Sequence, residues 1–197
     1  MFLAAGACSD NDESPVDDSL EPDAAPVAME PPPQRRVFGL NFSPFVSEGQ
    51  DPNQGAQVSA SQIAELIEII APHTQWIRTY GSQNGLEEVG RIAKVHGLKT
   101  AIGAWIGPDS EANDREIAGL IDAAREGNVD VAIVGNEVLL RGQPSPDQLL
   151  GYMGQVREAL AGTGIPVTTV DNYEQLLAHP EIMAASDTRA PTGASSD

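Results

Sequence analysis

The chain has 197 residues, with 29 acidic against 11 basic and a net charge of −18. That length supports one domain with a core of useful size, and so negative a surface repels phosphate backbones, which argues against a nucleic-acid partner. Cys8 is the single cysteine, so an internal disulfide and a cysteine-based metal site are both excluded.

Residues 1–8 read Met-Phe-Leu-Ala-Ala-Gly-Ala-Cys. Small residues leading into a cysteine, followed by an acidic tract, resemble the end of a bacterial lipoprotein signal peptide and make Cys8 the expected lipidation site. The basic amino-terminal segment of such a signal is missing and the apolar stretch is short, so the expected start lies upstream; a small apolar terminus is the competing reading. Residues 9–36 hold Asp10, Asp12, Glu13, Asp17, Asp18, Glu21, Asp23 and Glu30, and close with Pro31-Pro32-Pro33 before Arg35 and Arg36. Low hydrophobicity with like charge does not offset chain entropy, which predicts a disordered, extended linker. The folded part is expected from Val37.

From there, strand and helix signals alternate. Residues 37–43 read as a first strand. A helix follows Ser59, with Gln62 reaching back to complete a capping box and Ile63, Leu66, Ile67 and Ile70 on one face. A second strand spans 74–80, and a second helix is predicted from Asn84 to Gly97. The third strand covers 99–105, and its helix is placed after Asn113, with Glu116 three positions on as the acidic partner. The fourth strand, around Val131-Ala132-Ile133-Val134, is a β-branched apolar run that stops on Gly135-Asn136-Glu137, the pattern of a strand buried on both faces. Ser145, Pro146 and Gln148 form a capping box for the next helix, with Leu149, Leu150, Met153, Val156 and Leu160 inward. A fifth strand at 166–170 ends at Asp171, and short helices follow at 173–177 and 180–185.

Such alternation is the mark of an α/β fold with a parallel sheet, either a (β/α) barrel or an open doubly wound sheet. No Gly-x-Gly-x-x-Gly turn follows the first strand and no phosphate-loop lysine motif is present, which weakens the nucleotide-binding open sheet, and no cofactor is expected. His73, His96 and His179 are dispersed, each beside a turn signal, and suggest no metal site. Polar or aromatic residues close strand after strand: Asn41 and Ser43, Arg78 and Tyr80, Trp105, Asn136 and Glu137, Asp171. Strand ends converging on one rim are what a barrel active site requires. Taken alone, Glu137 is as readily a helix-capping carboxylate as a catalytic one; the recurrence of polar strand ends favours the site.

The segments Gly39-Leu40-Asn41-Phe42-Ser43-Pro44-Phe45, Trp76-Ile77-Arg78-Thr79-Tyr80-Gly81, Gly103-Ala104-Trp105, Val134-Gly135-Asn136-Glu137-Val138 and Pro166-Val167-Thr168-Thr169 resemble, in that order, family 17 glycoside hydrolases. The likeness covers residues 37–187 and looks nearest to bacterial members acting on β-1,3-linked glucans. It implies a retaining glycosidase or transglycosylase on a (β/α)8 TIM-barrel. Glu137 matches the general acid/base, Asn136 the neighbour that holds the sugar 2-hydroxyl, and Arg78 the position supporting the nucleophile; Tyr80 and Trp105 line the cleft. Asn41 and Asp171, as further strand-end polar groups, complete the candidate substrate-binding set. Burial between Val134 and Val138 is expected to tune Glu137 for proton transfer, and for Trp105 a plain core position is the competing reading.

One part of the family pattern is not matched. A retaining mechanism needs a second carboxylate about 5–5.5 Å from the first, which the family places on strand seven. Residues 188–197 carry no strand signal and no resemblance. The expectation is an incomplete barrel of about five β/α units, inactive by itself, with exposed edges prone to self-association. Asp171 is the one strand-end candidate for the missing nucleophile. The competing functional reading is a non-catalytic, glucan-binding lipoprotein, secreted or on the cell envelope; an open five-stranded module with an unrelated ligand is the third.

Overall fold

The computed structural model describes residues 36–187. The residues expected to form the signal remnant with Cys8, nearly all of the linker, and the 188–197 tail lie outside that range. Arg36, assigned by sequence to the linker, already belongs to the fold: its guanidinium donates to the Ala71 carbonyl at 2.9 Å.

Five strands, β1 (Val37–Asn41), β2 (Thr74–Arg78), β3 (Lys99–Ala104), β4 (Val131–Asn136) and β5 (Val167–Val170), form one parallel sheet in the order β1-β2-β3-β4-β5. This order decides between the two architectures. A doubly wound sheet reverses its strand order at a switch point. Here the order never reverses, so each crossover advances the sheet by one strand in the same sense, as in a (β/α) barrel. Within the described residues β1 and β5 each have a neighbour on one side only.

The connecting helices are α1 (Ala60–Ile70), α2 (Val89–Val95), α3 (Ser110–Arg125), α4 (Val138–Arg141), α5 (Pro146–Ala159), α6 (Tyr173–Ala178) and α7 (Pro180–Ala185). None is long and apolar enough to cross a membrane. Ile63, Ile67, Ile77, Ile102, Ile117, Leu120, Leu149 and Met153 are buried between helices and sheet. Each contributes about 1.5–3 kcal/mol by leaving water, so this seam, rather than the polar rim, holds the fold. On β1 the apolar side chains stay open: Val37, Phe38 and Leu40 are all exposed, and Phe38 stacks on Trp76 with centroids 6.0 Å apart.

The capping expectations divide. Ser145 and Gln148 form the predicted reciprocal box at α5. Ser59 caps α1 by accepting from the Gln62 amide, but the Gln62 side chain turns away and donates to the Pro44 carbonyl at 2.7 Å and to Gln50 Oε1 at 2.9 Å. A distant loop is a better partner for it than a solvent-exposed cap. Helix α3 starts earlier than predicted because Asp109 accepts from the Glu111 and Ala112 amides. Asn113, taken from sequence as its cap, is buried inside the helix, where its amide exchanges two 2.8 Å hydrogen bonds with the Gly107 backbone. Likewise Asn84 does not open α2; it sits at φ 62°, and a 3-10 turn over Leu86–Glu88 intervenes.

Candidate active site

The site is made by an irregularity in β4. Ile133 pairs with Thr168 and Asn136 with Val170. Thr168 and Val170 are two apart and share a face of the sheet, whereas Ile133 and Asn136 are three apart and in a regular strand would face opposite ways. A bulge at Val134-Gly135 absorbs the extra residue and returns Asn136 to the face that Arg78 occupies. The consequence is a direct bond: Arg78 Nη2 donates to Asn136 Oδ1 at 2.7 Å, across the intervening strand. Asn41, in register with Arg78 at the end of β1, is exposed beside it.

Arg78 is half-buried, and its Nε is buried without a hydrogen-bond partner among the described residues. Burial pulls the guanidinium below its ordinary pKa, against the opposing influence of Tyr80 and Glu137. The guanidinium lies 5.1 Å from the Tyr80 ring centroid. An unpaired buried donor on a cation is costly, so this group is set up to receive an acceptor.

Glu137 follows in the left-handed backbone region, at φ 53° and ψ 36°. Its amide donates to the Val170 carbonyl at 2.7 Å. It stands at the cap position of α4, yet its carboxylate makes no capping bond. That work is done by Asp171, whose Oδ2 accepts from the Leu139 amide at 2.7 Å while Oδ1 accepts from Asn172. The capping reading of Glu137 therefore fails, and Asp171 is committed to holding the turn that presents it. One expectation is corrected: Val134 and Val138 are buried, but Glu137 is exposed rather than enclosed by them. The left-handed turn swings its side chain off the buried line of the strand.

Two aromatic residues border these groups. Tyr80 and Trp105 are exposed, so Trp105 is not a core residue. The Trp105 amide donates to Glu116 Oε2 at 3.1 Å, and the same oxygen accepts from the Ser82 amide at 2.7 Å. Gly81 allows this approach, since a Cβ there would meet both Glu116 carboxylate oxygens at 3.1 Å.

The geometry thus gathers Arg78, Tyr80, Asn136 and Glu137 around the ends of β2 and β4, with Trp105 at the end of β3 and Asn41 at the open side. Residues 39–191 match the family model described as the BtgE/BtgC glycoside hydrolase domain. The chain belongs to this family.

Among relatives of this glycoside hydrolase domain, the "Probable beta-glucosidase btgE" of Aspergillus flavus is 26% identical over 138 residues, which is 68% of this chain and 22% of that protein. The "Probable family 17 glucosidase SCW4" of Saccharomyces cerevisiae is 27% identical over 155 residues, 77% of this chain and 38% of that protein. A solved glycoside hydrolase family 17 β-1,3-glucanosyltransferase from Rhizomucor miehei superposes with a TM-score of 0.58 at 27% identity, over 69% of this chain and 50% of that one; an active-site mutant of the same enzyme, solved with laminaritriose, matches equally. The chain thus spans half or less of the length of these relatives. They are fungal, so the likeness extends beyond the bacterial members suggested by sequence.

Two residues in contact with this cluster escaped sequence reasoning: Glu116, bonded to the Trp105 amide, and Arg141, whose guanidinium lies over the Trp105 ring. Glu116 was placed as a helix-capping residue, and Arg141 was not singled out. The pattern Pro108-Asp109-Ser110 signals the true helix start and would have freed Glu116 for another role; nothing local marks Arg141. Burial raises the Glu116 carboxyl above the usual range, and the Ser82 and Trp105 amides only partly offset it. A carboxyl whose folded value is raised contributes stability at low pH that is lost as pH rises through that value. Glu116→Gln keeps an acceptor for both amides, which bond one oxygen. The melting temperature of the wild type relative to Glu116→Gln is therefore expected to fall as pH is raised out of the normal carboxylate range; a difference independent of pH would contradict it.

Proposed function

We propose that this chain carries the acid/base half of a retaining site acting on β-1,3-linked glucan. The observation that carries the reading is the Arg78–Asn136 bridge, with its unpaired Arg78 Nε, beside an uncommitted Glu137. In this assignment Glu137 protonates the departing glycosidic oxygen and afterwards takes a proton from water or a sugar hydroxyl. Asn136, fixed by Arg78, offers its amide N–H to the sugar 2-hydroxyl. The sugar's apolar face stacks on Trp105 and Tyr80 while its hydroxyls stay at the polar edges.

A retaining reaction also needs a second carboxylate about 5–5.5 Å from the first, and among the strand ends of the described residues Asp171 is the candidate. Asp171 is tied to the Leu139 and Asn172 amides, which argues against a nucleophilic role. The reading therefore assigns sugar binding to this chain and expects no turnover from it alone. Titration calorimetry with laminaritriose should detect binding, lost on Trp105→Ala, while incubation with laminarin should release no reducing ends. Absence of binding would overturn the assignment; reducing ends abolished by Glu137→Gln would show that these residues suffice for catalysis. The commitment of Asp171 also supports the second reading, glucan binding without catalysis. In either case the run 1–8 supports lipidation at Cys8 and a secreted or cell-envelope location.

A further inference from the structure

We propose that Arg141 is a positioning residue that locks the Trp105 indole and the Glu137 turn into one rigid unit; this rests on the glucan-binding reading above. Arg141 is the last residue of α4, four after Glu137. Its Nη2 donates to the Ile106 carbonyl at 2.8 Å and to the Asn136 carbonyl at 2.8 Å, and its Nε donates to the Glu137 carbonyl at 3.2 Å. The guanidinium carbon stands 4.5 Å from the Trp105 ring centroid. One planar group thus joins the backbone just after Trp105 to both residues of the Asn136-Glu137 pair, and covers a face of the indole as it does so.

The Trp105 backbone is pinned separately, by Glu116. What Arg141 adds is the attitude of the ring and its separation from Glu137. A sugar stacked on Trp105 has to present its glycosidic oxygen to Glu137, and small errors in that relation are costly. Lysine would keep the charge, but as a point donor on a flexible stem it does not hold three carbonyls and a ring face together.

The test uses the full chain labelled with 5-fluorotryptophan, whose two tryptophans, Trp76 and Trp105, give two fluorine resonances assigned by Trp105→Phe. In the absence of sugar, Arg141→Lys should shift or broaden the Trp105 resonance and leave that of Trp76 in place, with an unchanged circular dichroism spectrum. With laminaritriose, Arg141→Lys should weaken affinity about tenfold. Movement of both resonances together would mean a general loss of structure and would overturn the proposal, as would an unmoved Trp105 resonance. Unaltered affinity despite a moved Trp105 resonance would also refute it. If the wild type binds no laminaritriose, the glucan reading fails, while the sugar-free spectra still decide whether Arg141 orients Trp105.

Discussion

Gly135→Ala should be among the most damaging single-methyl changes in this protein. Gly135 has φ 84°, and a Cβ built on it would lie 2.6 Å from Val138 Cγ2 and 3.3 Å from Leu149 Cδ1. Left-handed backbone costs an alanine about 1–2 kcal/mol, and overpacking costs about 1–3 kcal/mol. Val138 and Leu149 are fully buried, and β-branched Val138 has little freedom to yield. A loss of roughly 2–5 kcal/mol follows, which for a domain of this size lowers the melting temperature by about 5–15 °C. Because Gly135 lies in the bulge that returns Asn136 to the Arg78 face, any folded fraction should also lose laminaritriose binding. Calorimetric melting checks the first effect; a shift under about 2 °C, less than a 1 kcal/mol loss would give, would mean that the bulge is not strained by the added methyl.

Arg78→Met should behave in the opposite way, with a large effect on binding and a small one on stability. Its guanidinium is half-buried, and its Nε has no partner among the described residues. Removing it loses the 2.7 Å bond to Asn136, but also ends the desolvation of a cation that is only partly paired. The two contributions oppose, and the unbranched methionine fills similar space, so stability should change by about 1 kcal/mol or less, within the ordinary spread for mutations. Binding has no such compensation. Asn136 loses its anchor, and hydrogen bonds to charged groups are worth about 1.5–3 kcal/mol, which corresponds to roughly 10–100-fold in affinity. Urea denaturation beside laminaritriose titration separates the two effects. A Gly135→Ala-sized loss of stability in Arg78→Met would make Arg78 a structural residue.

These two residues also mark how far the sequence could be read. Arg78 was legible because it stands at the end of the second strand with Tyr80 two positions on, in the segment Trp76-Ile77-Arg78-Thr79-Tyr80-Gly81 that carries part of the family resemblance. Gly135 was visible as part of Gly-Asn-Glu, but its effect was not. Whether a glycine starts a turn or a bulge depends on the register of the next strand, and the pairing of Ile133 with Thr168 and Asn136 with Val170 is not encoded within β4 itself. The same limit applied to Asp171. Its neighbours suggested a strand-end ligand, whereas its partners are the amides of Leu139 and Asn172, the first of them 32 residues earlier in the chain.

The sequence by itself determined the α/β class, the five strand–helix units, the buried helix faces and the identity of the polar strand ends. Each of these depends on periodicity or composition within one segment. Only the tertiary structure decided that the strands run in unbroken order, that Arg78 and Asn136 share one face, that Asp171 rather than Glu137 caps α4, and that Arg141 joins Trp105 to Glu137. The physical reason is common to all four. A side chain's role is fixed by which unpaired backbone or polar groups come within hydrogen-bond distance, and those groups come from other strands.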